Sequence, residues 1–278
     1  MHKLEKIATQ VRRDILRMVT NAKSGHPGGS IGCADFLTVL YFDHLNINPK
    51  NFTMDGAGED IFFLSNGHLS PLWYSVLARR GFFTVEELKT FRIYGSRLQG
   101  HPTNHNNLAG IRIASGSLGQ GISNAAGAAL SKKLNEDSGI IYSLHGDGEL
   151  QEGQNWEALM FAAQHKIDNM IITIDYNKKQ IDGSIDDVVS LGNLKNKIDS
   201  FGWITLEMDG HNIPEISKTL KKAVDMTGNK KPICIIMNST MGKGVDFMED
   251  DHKWHGSPLS EEQLAEALTQ LDETIGDF

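Results

Sequence analysis

Short isoleucine-rich runs alternate with helical periodicities along most of the chain. Leu4, Ile7, Val11, Ile15, Met18 and Val19 recur on one helical face, which predicts an amphipathic helix over 4–22. A tight loop follows at Ser24–Gly29, then a second apolar helix over 31–43 and a polar, turn-rich stretch over 46–60. Five apolar runs read as strands: 61–64, 140–144, 170–174, 204–208 and 233–237. Helical patterns over 117–134, 154–165 and 212–226 separate most of them. Strands that alternate with helices in this way belong to a parallel sheet. The expected fold class is therefore α/β, a parallel sheet covered by helices on both faces. The segment 259–278 reads as one acidic helix starting near Ser260, with Glu261 and Glu262 in its first turn. With no internal repeat or interdomain linker, residues 1–278 read as a single domain with a C-terminal helical tail.

The polar residues of interest follow the strands. His68 comes after the first, Asp147 after the second and Asn177 after the third. Asp209-Gly210-His211 follow the fourth, and Gly242-Lys243-Gly244 the fifth. In open parallel sheets ligands bind beyond the carboxyl ends of the strands, so the five ends point to one binding edge.

Composition narrows the classes. The 278 residues carry a net charge of −8 and contain no basic block, which removes the electrostatic basis for nucleic-acid binding. No segment is long and apolar enough to span a bilayer, and Glu5, Arg12, Arg13 and Asp14 interrupt any signal-peptide pattern at the N-terminus. Cys33 and Cys234 lack metal-ligand spacing and read as buried thiols of a reducing, cytoplasmic environment.

The most specific chemistry lies between the second and third strands. Gly146-Asp147-Gly148 ends one strand, and Asn177 ends the next about thirty residues later, with a helix between. A carboxylate and an amide oxygen brought together, with coordination left open, suit Mg²⁺ or Ca²⁺ holding a diphosphate. Glycines allow close approach of the backbone, and the helix offers its N-terminal N–H groups. The competing reading makes Asp147 a helix cap and Asn177 a turn residue. Four histidines stand in loops marked by glycine or proline: His26, His68, His101 and His255. Imidazole titrates near neutrality and both donates and accepts protons. Gly116-Ser117-Leu118-Gly119-Gln120-Gly121 is a second glycine-rich loop that lacks the lysine of a P-loop. His101 and His105 have the spacing of a zinc pair, but the proline and asparagines around them argue against a helix that would align them. His105, His145, His165, His211 and His252 read as structural or solvent-exposed.

Together these segments resemble the N-terminal, diphosphate-binding domain of transketolase. The resemblance rests on Ser24-Gly25-His26-Pro27-Gly28, Ser65-Asn66-Gly67-His68, Gly100-His101-Pro102, the Gly116–Gly121 loop and Gly146–Gly153. Gln180-Ile181-Asp182-Gly183, Gly242-Lys243-Gly244 and Trp254-His255-Gly256 complete it, in the family's order across nearly the whole chain. It implies thiamin diphosphate and Mg²⁺ (or Ca²⁺) as cofactors, with Asp147, Asn177 and the carbonyl of Lys179 on the metal. It implies His68, Gly116, Leu118, Gly148, Glu149, Asn177 and Lys243 at the cofactor, and His26, His68, His101 and His255 as catalytic residues on sugar hydroxyls. Two departures stand out: Asp175-Tyr176-Asn177 replaces an ending in paired Asn, and Lys179 stands where the family often has an apolar residue.

The chain stops where a full-length transketolase continues into pyrimidine-binding and C-terminal domains. The resemblance thus implies the N-terminal subunit of a split transketolase. Its partner would be a second transketolase subunit carrying the pyrimidine and C-terminal domains, as an α2β2 assembly acting on sugar phosphates, and the start and end of the sequence favour a natural subunit. Alternatives are the α subunit of a 2-oxo acid dehydrogenase, a deoxyxylulose-phosphate synthase relative, a non-catalytic cofactor-binding homologue or a plain nucleotide-binding protein.

Overall fold

The computed structural model describes residues 2–278. Helix α1 (His2–Ala22) leads into α2 (Pro27–Gly32) and α3 (Ala34–Val39), then β1 (Ile61–Leu64) and α4 (Ser70–Arg80). The middle of the chain forms α5 (Gly121–Leu134), β2 (Ile141–Gly146), α6 (Gly153–Gln164) and β3 (Met170–Tyr176). A two-stranded hairpin, β4 (Lys179–Gln180) and β5 (Gly183–Ser184), precedes α7 (Ile185–Val189) and α8 (Leu194–Ser200). Strand β6 (Ile204–Asp209), α9 (Ile213–Asp225), β7 (Ile233–Asn238) and α10 (Glu261–Gln270) complete the order.

Strands β1, β2, β3, β7 and β6 form one parallel sheet in that spatial order. Alternate residues face opposite sides of a strand, and both sides here are apolar. From β7, Ile233, Ile235 and Met237 join the core beneath α1, α3, α4 and α9, whereas Cys234 and Ile236 join the core beneath α5, α6 and α8. Both cysteines are free and buried, as expected.

The structure revises several element boundaries. The helix expected over 31–43 breaks at Cys33 into α2 and α3 and ends in a wider turn, Leu40–His44. Residues 117–120 are loop, and α5 begins at Gly121. Helix α4 lacks an amphipathic signature because nine of its residues, Ser70–Ala78, are buried. The helix expected over 259–278 starts at the Ser260 capping box but stops at Gln270. The last residues lie instead along α1. Arg13 donates to the Leu271 carbonyl at 2.6 Å and to Asp277 Oδ2 at 2.6 Å, and Gln10 accepts from the Thr274 and Ile275 N–H groups at 3.1 Å. These bonds satisfy the backbone that a longer helix would have satisfied internally.

Buried polar side chains on α1 lock the elements that carry the site. Arg12 makes a two-pronged contact with Asp35 on α3, at 3.0 and 2.5 Å. Its Nε also donates to the carbonyls of Ile31 and Lys243. One guanidinium thus joins α1, α2, α3 and the loop after β7. Bidentate, charge-assisted bonds give such a joint directional rigidity.

Candidate active site

The carboxyl ends of β1, β2, β3 and β7 open into a cavity of about 370 Å³. His26, His68, His101 and His255, which come from four separate loops, all line it. His26 lies at the centre of the group, with ring centroids 5.0 Å from His68, 5.6 Å from His255 and 6.4 Å from His101; His68 and His255 are 5.1 Å apart. Burial lowers the pKa of His26 to about 4, helped by the nearby His255, Arg92 and His101. Burial likewise holds His68 well below its ordinary value and lowers His101 and His255. The cluster is therefore neutral near pH 7, and each ring offers one N–H donor and one acceptor nitrogen. Among the described residues His26 Nδ1 is buried and has no hydrogen-bond partner.

Asp147, Asn177, Lys179, Gly116, Leu118, Gly148 and Glu149 line the same cavity. Asp147 accepts from the Gly148 N–H at 2.7 Å and the Lys178 N–H at 2.5 Å, joining the ends of β2 and β3. It does start a short 3₁₀ turn, as the capping alternative holds, yet its carboxylate also borders the cavity. Burial and the neighbouring Asp175 raise its pKa to about 8. Asp175 is buried and its pKa is also raised, by burial. Two buried carboxylates at one strand edge favour protonation unless a cation neutralises them. Asn177 Nδ2 donates to Asp175 Oδ2 at 2.9 Å, and Asn177 Oδ1 accepts from the Lys179 N–H at 2.9 Å. The amide is thereby oriented, and Oδ1 keeps a second lone pair for a ligand. Among the described residues no group of three or more His, Cys, Asp or Glu side chains could hold a metal. The set here is of another kind: one carboxylate and one amide oxygen with coordination left open, which suits Mg²⁺ bound through few protein oxygens and a phosphate. The donor set and the buried carboxylates fit a metal-held diphosphate.

Glu149 has a more specific place than its sequence position indicates. Its carboxylate accepts from the Ser65 hydroxyl, from the Gly119 N–H at 3.0 Å and from the Gly146 N–H at 3.1 Å. Burial pushes its pKa up, but the adjacent His145 and these bonds outweigh that and hold it below the ordinary value. It clamps the loops after β1 and β2 to the Gly116–Gly121 loop. Lys243 does not line the cavity. Its ammonium pairs with Glu249 at 3.1 Å, and Met241 occupies the cavity wall instead. The reason is geometric: after β7 the chain turns sharply at Gly242, whose φ is +81°, so the residue before the turn faces inward.

The cavity wall also contains Asn66, Gln151, Glu152, Asp175, Gln180, Ile181 and Met241, which sequence reasoning did not single out as site residues. All of them but Met241 sit inside motifs already noticed, so membership of those motifs was the available signal. His145 is buried and bonded to Ser143 at 2.8 Å. His211 accepts from the Thr240 N–H at 2.8 Å and faces Asp35 at 3.4 Å. Both are structural, as expected. Asp209, the last residue of β6, and His211 beyond it line a separate depression rather than the main cavity.

An α/β domain whose strand ends gather Asp147 and Asn177 into one cavity with a histidine cluster has the layout of the thiamin diphosphate-binding class. The sequence profile of "Transketolase, thiamine diphosphate binding domain" matches residues 4–274, and the chain belongs to the transketolase family. It is 38% identical, over 98% of its length, to one of the subunits of the apulose-4-phosphate transketolase of Phocaeicola vulgatus, covering 95% of that protein. It is also 38% identical to the 6-deoxy-6-sulfo-D-fructose transketolase subunit SqwG of a Clostridium species, covering 96% of it. Human transketolase is 34% identical, but the chain spans only 41% of its length. The crystal structure of Campylobacter jejuni transketolase superposes with a TM-score of 0.90 at 38% identity, covering 99% of this chain and 44% of the other. The fold class and the family expected from sequence both stand.

Proposed function

We propose that the chain is the thiamin diphosphate-holding subunit of a two-chain transketolase that transfers a ketol unit from a ketose to an aldose. The observation that carries this is one cavity uniting Asp147 and Asn177 with four neutral histidines, in a chain matched end to end by relatives named as subunits. Asp147, Asn177 and the Lys179 carbonyl would hold Mg²⁺, and the Gly148 and Gly116 backbones would admit the diphosphate. Thiamin diphosphate, when bound, supplies the nucleophilic carbon and electron sink needed for C–C cleavage. His26, His68, His101 and His255 hold sugar hydroxyls and move protons between them. Their neutrality lets each ring donate to one oxygen while accepting from another. Leu118 and Ile181 are 37% and 61% exposed apolar walls of the cavity, suited to be covered by a partner. That partner would bring the pyrimidine-binding and C-terminal domains, most simply as α2β2.

The relatives' names mention apulose-4-phosphate and a sulfofructose, which points to anionic ketoses in general, with pentose phosphates among them. Among the described residues no helix is long and apolar enough to cross a membrane. Two buried free thiols fit a cytoplasmic setting.

Titrating the full chain with thiamin diphosphate and following tryptophan fluorescence tests the cofactor reading, because Trp254 adjoins His255. Saturation that requires Mg²⁺ and resists competition by nucleotides is expected. Binding without metal, or displacement by a nucleoside triphosphate, would contradict it. The titration should also depend on pH. With its pKa raised to about 8, Asp147 must release a proton to accept a metal. Mg²⁺ affinity is therefore expected to rise by up to about tenfold per pH unit between roughly pH 6 and 8, then level off. Linkage gives the matching stability effect. The protonated carboxyl's contribution to the metal-free fold is complete below the ordinary carboxylate range and lost as pH rises through about 8, so Mg²⁺ should raise Tm more at pH 8.5 than at pH 6.

A further inference from the structure

Electrostatic balance in the cavity singles out one side chain. Asp147, Glu149, Glu152 and Asp175 line it, and among the described lining residues Lys179 carries the one ammonium or guanidinium group. A diphosphate brings about three negative charges near neutrality and Mg²⁺ brings two positive ones, so their complex adds net negative charge to a wall already rich in carboxylates. The other cations nearby are engaged. Arg12 is locked on Asp35, Lys243 pairs with Glu249, and Lys178 lies over the Tyr176 ring. Arg92 bonds to Ser24 and lines a neighbouring depression.

Lys179 is held in a way that is easily undone. Its Nζ is 3.2 Å from Asp250 Oδ1, and the Asp250 side chain is 71% exposed. A pair this exposed to water contributes little to stability. Asp250 itself has a φ of +58°, on the loop that also carries Met241 of the cavity wall, and its N–H bonds to the Met241 carbonyl at 2.9 Å. The ammonium is thus parked on an exposed carboxylate that does not line the cavity, while Lys179 itself and Asn177, two residues earlier, do.

We propose that the Lys179 side chain is a diphosphate-binding residue that exchanges Asp250 for the cofactor's diphosphate on binding. The proposal rests on the cofactor reading above and adds a charge contact, made by the side chain, to the metal-binding role of the Lys179 carbonyl. It gives this chain a cation where the family often has an apolar residue. Asp250 then acts as a competitor for the ammonium and sets how readily the cofactor is held.

The test measures Kd for Mg²⁺–thiamin diphosphate by calorimetry on the full chain, with and without its partner subunit, in wild type, Lys179→Met, Lys179→Arg and Asp250→Asn. Lys179→Met should raise Kd about tenfold at low salt, with the gap narrowing as ionic strength rises, because the lost contact is a partly exposed charge pair. It should weaken thiamin monophosphate binding less, since that ligand carries less charge. Lys179→Arg should stay close to wild type. Asp250→Asn should move Kd the other way, lowering it about two- to threefold by freeing the ammonium. An unchanged Kd in Lys179→Met would overturn the proposal. So would a parallel loss in Lys179→Met and Asp250→Asn, which would make the pair a structural pin for the loop. Wild-type protein that binds no Mg²⁺–thiamin diphosphate at all would remove the cofactor reading itself, a distinct failure.

Discussion

Asp147→Ala is expected to abolish metal-dependent cofactor binding, with an affinity loss of at least about a hundredfold. Asp147 is the carboxylate at the cavity's strand edge that also receives the Gly148 and Lys178 N–H groups. If the proposed metal role of Asp147 holds, the variant loses a charged ligand, and removing one direct ligand costs more than the roughly 10- to 100-fold typical of residues that only orient a ligand. It also releases the Lys178 turn that presents Asn177 and Lys179. Asp147→Asn separates the two effects, since an amide oxygen can still accept one of those N–H groups. It should keep the fold and thermal stability yet bind Mg²⁺ weakly. Fluorescence titration together with thermal unfolding reads both. Near wild-type Mg²⁺ affinity in Asp147→Ala would place the metal elsewhere.

Gly116→Ala should disable the site from the opposite wall. Gly116 has a φ of +125°, a conformation open to glycine and strained for alanine. A Cβ there would lie 2.3 Å from His101 Cδ2, too close for any ordinary contact, so the imidazole must move. Strain of this kind costs about 1–3 kcal/mol, and a displaced His101 leaves the cluster around His26. The expected result is a drop in kcat/KM of at least about tenfold, accompanied by a lower Tm. A double-mutant cycle with His101→Ala distinguishes clash from backbone strain. If the imidazole clash dominates, Gly116→Ala costs much less once the ring is gone. If the cost is unchanged, backbone strain alone accounts for it.

The sheet was legible because four of its strands, at 61–64, 140–144, 170–174 and 233–237, are buried on both faces and largely apolar, whereas the edge strand at 204–208 shows the other strand signature, Ile204, Leu206 and Met208 alternating with Thr205 and Glu207. The histidines were legible because glycine and proline beside them marked loops, and the strand order brought those loops to one edge. Elsewhere local pattern lacked the information. Helix α4 is buried on most of its surface and shows no polar face to reveal its period. The C-terminal segment leaves its helix because Gln10, Arg13 and Arg17 of α1, at the other end of the sequence, bind its backbone and Asp277. Lys243 and Met241 exchange places relative to the cavity through a single turn at Gly242, a reversal that spacing cannot show. Glu149 was placed at the cofactor by motif position, whereas its partners Ser65 and Gly119 reveal a clamp among three loops. The pairing of Lys179 with Asp250 joins distant segments and has no signature in either.

On the reading proposed above, this chain supplies the diphosphate half of a transketolase and needs a second chain for turnover. The most direct measurement is a ketol-transfer assay with thiamin diphosphate and Mg²⁺, using an anionic ketose donor and an aldose acceptor. It is run on this chain alone, on the candidate partner bearing the pyrimidine-binding domain alone, and on the two mixed. Turnover in the mixture and in neither component is the expected result, lost again on chelation of the metal or with Asp147→Ala. Full turnover by this chain alone would contradict the two-chain account, and a mixture that binds the cofactor yet transfers no ketol unit would contradict the reaction itself.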